Sequence, residues 1–425
     1  MLSGTPGALT PFELPEAMSR EIKIHWTPRT PVVAILKMNA SQMKITPIRW
    51  TLFVIALFAA LFSLLTAFPT PRWLPWDLGM VVPEIGLWIA ALPLCLGVGA
   101  WLLRRKHLII ATGTLTLCAF ALTLLLKPAA QAWRMGRNLP AQFTAAFGAT
   151  PQMQPPFSFA ASFSPAPEPV AIRTMRYSGS LMLDFYPALG RSSAPCVIAL
   201  HGGGWSEGDR KDDGTNQRLN NWLARRGYAV ASIDYRLAPK YPWPAQRDDV
   251  LAALAFLHAQ APSLNIDPGR IVLLGLSAGG QIAAATGYSA HDPSIRGVII
   301  IYGITDFRLS WDLSTDPNWQ DHRPFLQMFL GGTPDTASAA YDSASATRLV
   351  DASTPPTLML QGQLDMNVHP RQAELLDQRL AAARVPHVLV MLPWAAHAFD
   401  FVSLDTPGGQ VATYSVGQFL AAVTR

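Results

Sequence analysis

The sequence predicts an α/β fold, a mostly parallel sheet with helices on both faces, preceded by three transmembrane helices. Three observations lead there. From about Ala171 to the C-terminus, apolar runs of strand length alternate with helix-like stretches, the pattern of buried parallel strands joined by crossover helices. Ahead of that region stand three long runs without one charged residue. The composition is also split, because the chain is 50% hydrophobic and only 14% charged, with the apolar excess gathered near the N-terminus.

The uncharged runs are Thr51–Phe68, Ile85–Leu103 and Leu108–Leu126. At about 1.5 Å rise per residue each comes close to the roughly 30 Å of a hydrocarbon core, the last two more comfortably than the first. A cleaved signal peptide would account for the first run but not for three in succession. Lys37, Lys44 and Arg49 precede the first run, and Arg104, Arg105 and Lys106 fill the loop between the second and third. The loop between the first and second offers only Arg72, with Asp77 nearby. The positive-inside rule then sets the N-terminus and the 104–106 loop in the cytoplasm. Everything after Leu126 falls on the other side, periplasmic for a bacterial inner membrane, although Lys127, Arg134 and Arg137 pull mildly the other way. Trp73, Trp76, Trp88, Trp101 and Trp133 suit an interfacial belt, and Glu84 reads as a solvated carboxylate at a span edge.

The chain therefore divides into a cytoplasmic, disordered tail (1–48), a three-helix anchor (49–127), a connecting segment (128–170) and a globular domain (171–425). Within the tail, Met38 and Met43 offer later starts. Within the connecting segment, Gln131–Phe147 reads as an amphipathic helix, at the membrane surface or over the globular domain, and Pro151–Pro169 as an extended linker. The formal charge of +5 and pI near 9.2 do not point to nucleic acid. Many of the N-terminal cations flank apolar runs, and no basic stripe interleaved with aromatics accompanies them. Cys95, Cys118 and Cys196 lie in apolar runs or a strand, with no metal spacing and no disulfide framework.

In the globular domain the expected strands are Leu181–Tyr186, Cys196–Leu200, Ala229–Asp234, Ile271–Leu274, Gly297–Tyr302, Thr357–Gln361 and His387–Leu392. Helical stretches between them include Asn216–Arg226, Gln246–Gln260, Gln281–Tyr288 and Pro370–Arg384. The segment Ile271–Gly280 carries the chemistry. A short apolar strand runs into Gly275-Leu276-Ser277-Ala278-Gly279, and a helix begins near Gln281. That is G-x-S-x-G in a strand–turn–helix setting, where the serine projects from a strained turn and the helix presents its N-terminal amides to developing negative charge. The five-residue pattern alone also occurs in flexible loops; the flanking strand and helix separate this one from them.

After the strand Cys196–Leu200 comes His201-Gly202-Gly203-Gly204-Trp205, a loop bare enough for backbone amides to approach a reacting carbonyl oxygen. Here the sequence resembles the hormone-sensitive-lipase-like branch of the α/β-hydrolase fold, which includes bacterial acetylesterases and related carboxylesterases. Asp234-Tyr235-Arg236-Leu237-Ala238-Pro239, and the Tyr241–Ala245 run leading to Asp248 and Asp249, match that branch as well. The resemblance extends from about Ala171 to the C-terminus. It implies oxyanion donors at the amides of Gly203, Gly204 and Ala278 and a structural role for His201.

A serine hydroxyl needs a base, and the base an orienting carboxylate. The fold's chain order is Ser, then Asp or Glu, then His. Of the downstream histidines, His397 stands in Pro393–Phe399, just past the last expected strand, where the family's base sits and with its His-x-Phe. His291, His322, His369 and His387 fit solvated or packed roles better. The acid is expected at Asp365 in the loop after Gln361-Gly362, a site where the family commonly has His-Gly. Asp306 is the runner-up, and Asp248 and Asp249 read as loop-fixing carboxylates.

The resemblance implies an acyl-enzyme route needing no metal or organic cofactor, acting on a small-molecule or lipid-like ester with a short or medium acyl chain beside the lipid bilayer. An amidase or acyltransferase would use the same triad, and a ligand-binding relative would have lost it. Substrate contacts are expected from Trp205 and from an insertion near 308–351, which holds Trp311, Trp319, Phe325, Met328 and Phe329. Those aromatics suit an acyl pocket and ordinary core packing equally.

Overall fold

The computed structural model describes residues 47–71, 74–106, 108–150, 155–164, 167–211, 215–316 and 320–425. All but the last two positions of the expected tail, with Lys37, Met38, Met43 and Lys44, lie outside the described residues, as do Arg72, Trp73, Trp319 and part of the expected linker.

Eight strands build one sheet: β1 Arg173–Ser178, β2 Leu181–Tyr186, β3 Ala194–Leu200, β4 Ala229–Ile233, β5 Ile266–Leu276, β6 Ile295–Ile301, β7 Thr357–Gly362 and β8 His387–Leu392. Their spatial order is β1-β2-β4-β3-β5-β6-β7-β8. The pairs β1/β2 and β2/β4 are antiparallel, and the remaining pairs are parallel. The seven expected strands are present with ends shifted by a few residues. β1 was not expected, because its edge position leaves mostly exposed, polar side chains and no apolar run to read.

Alternation along the central strands feeds two cores. Cys196, Ile198 and Leu200 of β3 and Leu273 of β5 face one, whereas Val197 and Ala199 with Leu274 face the other. Ahead of the sheet come α1 Pro47–Ser63, α2 Asp77–Ile89, α3 Ala91–Leu102, α4 Leu108–Gly136 and α5 Leu139–Phe147. Within the domain lie α6 Thr215–Ala224, α7 Ala245–Leu264, α8 Ala278–Ser289, then α9 Phe307–Leu313, α10 Arg323–Leu330, α11 Ser338–Ala344, α12 Ala346–Leu349, and finally α13 Arg371–Ala382 and α14 Pro407–Val423. Val250 and Leu257 of α7 and Ile282 of α8 fill the first core. Leu219 and Leu223 of α6 and Val411, Tyr414 and Phe419 of α14 fill the second. Both faces are covered.

Among the described residues two helical stretches are long and apolar enough to cross a membrane, Pro47–Thr66 and Leu108–Gly136. A third is present only if α2 and α3, which meet at 50°, form one broken span. The uninterrupted helix expected over Ile85–Leu103 is thus replaced by a bend at Ala90. The local cause is Pro93, which has no N–H to give the Ile89 carbonyl and interrupts the helix there; Val82 of α2 and Ala90 at the break pack with Leu65 and Leu125 in a buried cluster. Val54, Phe58, Leu61, Leu94, Val98, Ile109 and Phe120 of α1, α3 and α4 remain exposed.

The helix expected over Gln131–Phe147 is two. α4 runs through to Gly136, and α5 starts anew with Pro140 in its first turn, where a missing amide costs nothing but the preceding residues cannot continue a helix. α5 covers the globular domain, with Phe143 fully buried in the second core and edge-on to Tyr414 at 6.1 Å. The expected linker is also docked: Phe157 is buried, and Ser158 N donates to Gln410 Oε1 of α14 at 2.8 Å.

Truncating Phe143 to alanine should therefore destabilise the whole domain by about 3–5 kcal/mol, as for a buried core phenylalanine. Urea or thermal unfolding of the full chain in detergent measures this. A loss below about 0.5 kcal/mol would show α5 to be peripheral.

Candidate active site

β5 ends at Leu276, and α8 begins at Ala278. Ser277 between them has φ 52° and ψ −118°, a conformation that L side chains avoid. Its amide donates to Ile301 O at 2.9 Å, and its carbonyl accepts from Gly280 N at 2.9 Å. The elbow is so tight that a Cβ on Gly279 would run into the Leu200 carbonyl, which is why small residues flank the serine.

Around this turn the structure gathers the residues that the spacing singled out. Ser277 Oγ donates to His397 Nε2 at 3.0 Å, and His397 Nδ1 donates to Asp365 Oδ2 at 2.9 Å. His397 is 8% exposed and Asp365 is fully buried. Asp365 Oδ1 accepts from the amides of Asn367 and Val368, at 2.9 and 2.8 Å. Its Oδ2 accepts a further bond from Gln361 Nε2 at 3.0 Å. The glutamine standing where histidine is usual thus holds the carboxylate directly. A hydroxyl, an imidazole and a buried carboxylate linked in this order form an assembly that can withdraw the serine proton and stabilise the resulting imidazolium.

The glycine loop lies across the same cavity, about 590 Å³ in volume, which is lined by Gly203, Gly204, Trp205, Ser277, Ala278 and His397 among others. Gly203 has φ 109°, and a Cβ there would collide with the Glu207 carbonyl, so only glycine fits. His201 faces away from the chemistry: its Nδ1 donates to Gly202 O at 2.7 Å and its ring stacks on Tyr235 at 4.1 Å. Tyr235 in turn donates its hydroxyl to His201 O at 2.8 Å, clamping the loop.

Other candidates are placed elsewhere. Asp306, the runner-up acid, spends both carboxylate oxygens on capping α9 through Leu309 N and on Thr347 Oγ1. Asp249 binds Arg236 through backbone and guanidinium, and Asp248 is exposed beside Arg247. Trp205 is buried, stacked on Phe329 at 4.3 Å, and donates Nε1 to Gln281 Oε1 at 2.9 Å, yet it lines the cavity. Phe325 lines it too, half exposed. Trp311 does not; it packs against the first core, edge-on to Tyr341 at 6.2 Å. Met328 also packs there, and Phe329 is fully buried in it, so most of the insertion's large side chains are core.

Four residues at the site were not anticipated. His322 lines the cavity, and burial holds its imidazole below the ordinary range. Tyr302 lies against the His397 ring at 4.7 Å and donates its hydroxyl to Asp400 Oδ1 at 2.7 Å. Burial pushes the Asp400 carboxyl up to about 6, against the Tyr302 hydrogen bond. The last is Glu84 of α2, which is not the solvated carboxylate expected. It is 1% exposed, with Oε1 accepting from Trp394 Nε1 at 3.0 Å and Oε2 from Gly408 N at 2.7 Å. Trp394 is three residues before His397.

The BD-FAE family model matches residues 183–380, taking in Gly203, Ser277 and Asp365 and ending before His397. Carboxylesterase NlhH of Mycobacterium tuberculosis is 36% identical over 273 residues, 60% of this chain and 81% of that protein. Esterase LipC of the same organism is 31% identical over 246 residues, 55% of this chain, and the match spans only 59% of LipC. Among solved structures, esterase LipW from Mycobacterium marinum superposes with a TM-score of 0.50 at 27% identity, covering 70% of this chain and 89% of that one.

The buried Asp400 gives a stability test. In the folded chain it titrates near 6, well above its ordinary range, so between about pH 4 and 6 the folded state keeps a proton that the unfolded state has released. That part of the stability falls as pH rises through this window. Asp400→Asn keeps an acceptor for Tyr302 and carries no charge, so its melting temperature should match wild type near pH 4, rise above it by pH 6 and hold that lead at pH 8. An unchanging difference across the range would mean that no such carboxyl titrates there.

Proposed function

The chain belongs to the carboxylesterase family of the α/β-hydrolase fold, and on that premise we propose that it cleaves carboxylic esters of short or medium acyl chain at a membrane surface. The observation that carries the reading is the unbroken series Ser277–His397–Asp365 opening on the same cavity as the glycine loop. Ser277 Oγ attacks the ester carbonyl as His397 Nε2 takes its proton. The amides of Gly203, Gly204 and Ala278 receive the oxyanion. His397 then protonates the departing alcohol, and water, deprotonated by the same imidazole, releases the acid and restores Ser277. Asp365 keeps the imidazole in the tautomer whose Nε2 is free to accept. The scheme calls on no metal or organic cofactor.

The membrane setting rests on the two long apolar helices and the bent pair. Taken as three spans with the cationic Arg104–Lys106 loop inside, they leave the hydrolase domain outside the cytoplasm.

Ser277→Ala and His397→Ala in the detergent-solubilised full chain should each lower kcat on p-nitrophenyl butyrate by about 10⁴-fold or more. Near-wild-type turnover in either variant rejects the assignment. An alkaline phosphatase reporter, active only outside the cytoplasm, should be active when fused after Gly136. An inactive fusion at normal expression reverses the orientation.

A further inference from the structure

The anchor does more than hold the domain at the bilayer. Between α1 and α2, the described residues Thr70, Pro71 and Leu74–Trp76 stand beside the catalytic loops. Leu74, Pro75 and Trp76, with Met80 at the start of α2, line a second cavity of about 740 Å³ whose far side includes His322 and Phe325. His397, Trp76, His322 and Phe325 line both this cavity and the one that holds Ser277. The two cavities therefore adjoin across these residues, one holding the nucleophile and the other bordered by the anchor side.

Two observations show that this arrangement is built. Glu84, seven residues into α2, is buried under the domain and bonds to Trp394 in the His397 loop and to the first turn of α14. Trp88 of the same helix donates Nε1 to Ser162 O at 2.9 Å. The helix that follows Trp76 is thus fixed at two points, one on the domain and one on the connecting segment docked against it. The wall itself is chemically two-sided. Leu74, Trp76 and Met80 offer apolar surface on the anchor side. Asp321 and Arg323 line the insertion side, where they are exposed and paired with each other at 2.7 Å.

We propose that Leu74, Trp76 and Met80 form the acyl wall of the substrate site, so that the natural substrate is an amphipathic ester whose medium-length acyl chain comes from the bilayer. This rests on the ester-hydrolase reading above. An acetyl group is too short to leave the Ser277 cavity, whose wall includes only Trp76 of these three residues, whereas a chain of eight or so carbons extends past Trp76 into the second cavity. Each methylene that passes from water to that wall is worth roughly a fourfold gain in binding.

The test uses the full chain in phosphatidylcholine nanodiscs with p-nitrophenyl acetate and octanoate. The readout is the ratio of the two kcat/KM values. Trp76→Ala, at a half-exposed position, should lower the octanoate-to-acetate ratio at least tenfold, and Trp76→Phe should keep it within about threefold of wild type. A ratio unchanged in Trp76→Ala, or lowered as much by Trp76→Phe, overturns the acyl wall. Wild type that hydrolyses neither ester overturns the esterase reading instead.

Discussion

Ser277 stands at φ 52° because a strand and a helix leave it no alternative, and the domain is arranged around that turn. Holding a non-glycine residue there costs about 1–3 kcal/mol, which surrounding structure must supply. The supply is visible in the bonds from Ser277 N to Ile301 O and from Gly280 N to Ser277 O, and in β5 wedged between β3 and β6. A central strand has no freedom to slide. Its C-terminal end is therefore a place where a strained turn can be kept at a fixed height above the sheet. The glycine loop leaves the end of β3, Asp365 follows β7 and His397 follows β8. Every group of the site thus hangs from a strand end on the same edge of one rigid layer.

That geometry explains what was legible beforehand. Fully buried parallel strands write themselves as apolar runs, and residues that must follow strand ends in a fixed order can be located by counting along the chain. Ser277, Asp365 and His397 fall into that class. Trp311 and Phe325 do not. Both are aromatics in one insertion, yet one packs in the core and the other borders the cavity, and local spacing contains nothing that separates them. β1 escaped notice because an exposed edge strand needs no apolar pattern.

The contacts that could not be read are those joining distant parts of the chain. Trp394 and Glu84 are 310 positions apart, and neither residue suggests the other. A carboxylate at the edge of an apolar run is ordinarily solvated. Here the domain supplies an indole N–H and a helix-terminal amide in place of water, which makes burial tolerable.

Two carboxylates near one imidazole also had to be told apart, and their surroundings do so. Asp365 is reached by two backbone amides and the Gln361 side chain as well as by His397, four donors directed at one carboxylate. Such a site fixes the direction in which the carboxylate faces the ring. Asp400, three residues beyond His397, is buried against the Tyr302 hydroxyl, and its pKa rises accordingly. It supports Tyr302, whose ring in turn lies against the imidazole. A change at Asp400 would therefore act on His397 through packing, whereas a change at Asp365 would act on the proton at Nδ1. Burial is common to both residues; the hydrogen bond to Nδ1, which Asp365 makes and Asp400 does not, decides which of them orients the ring.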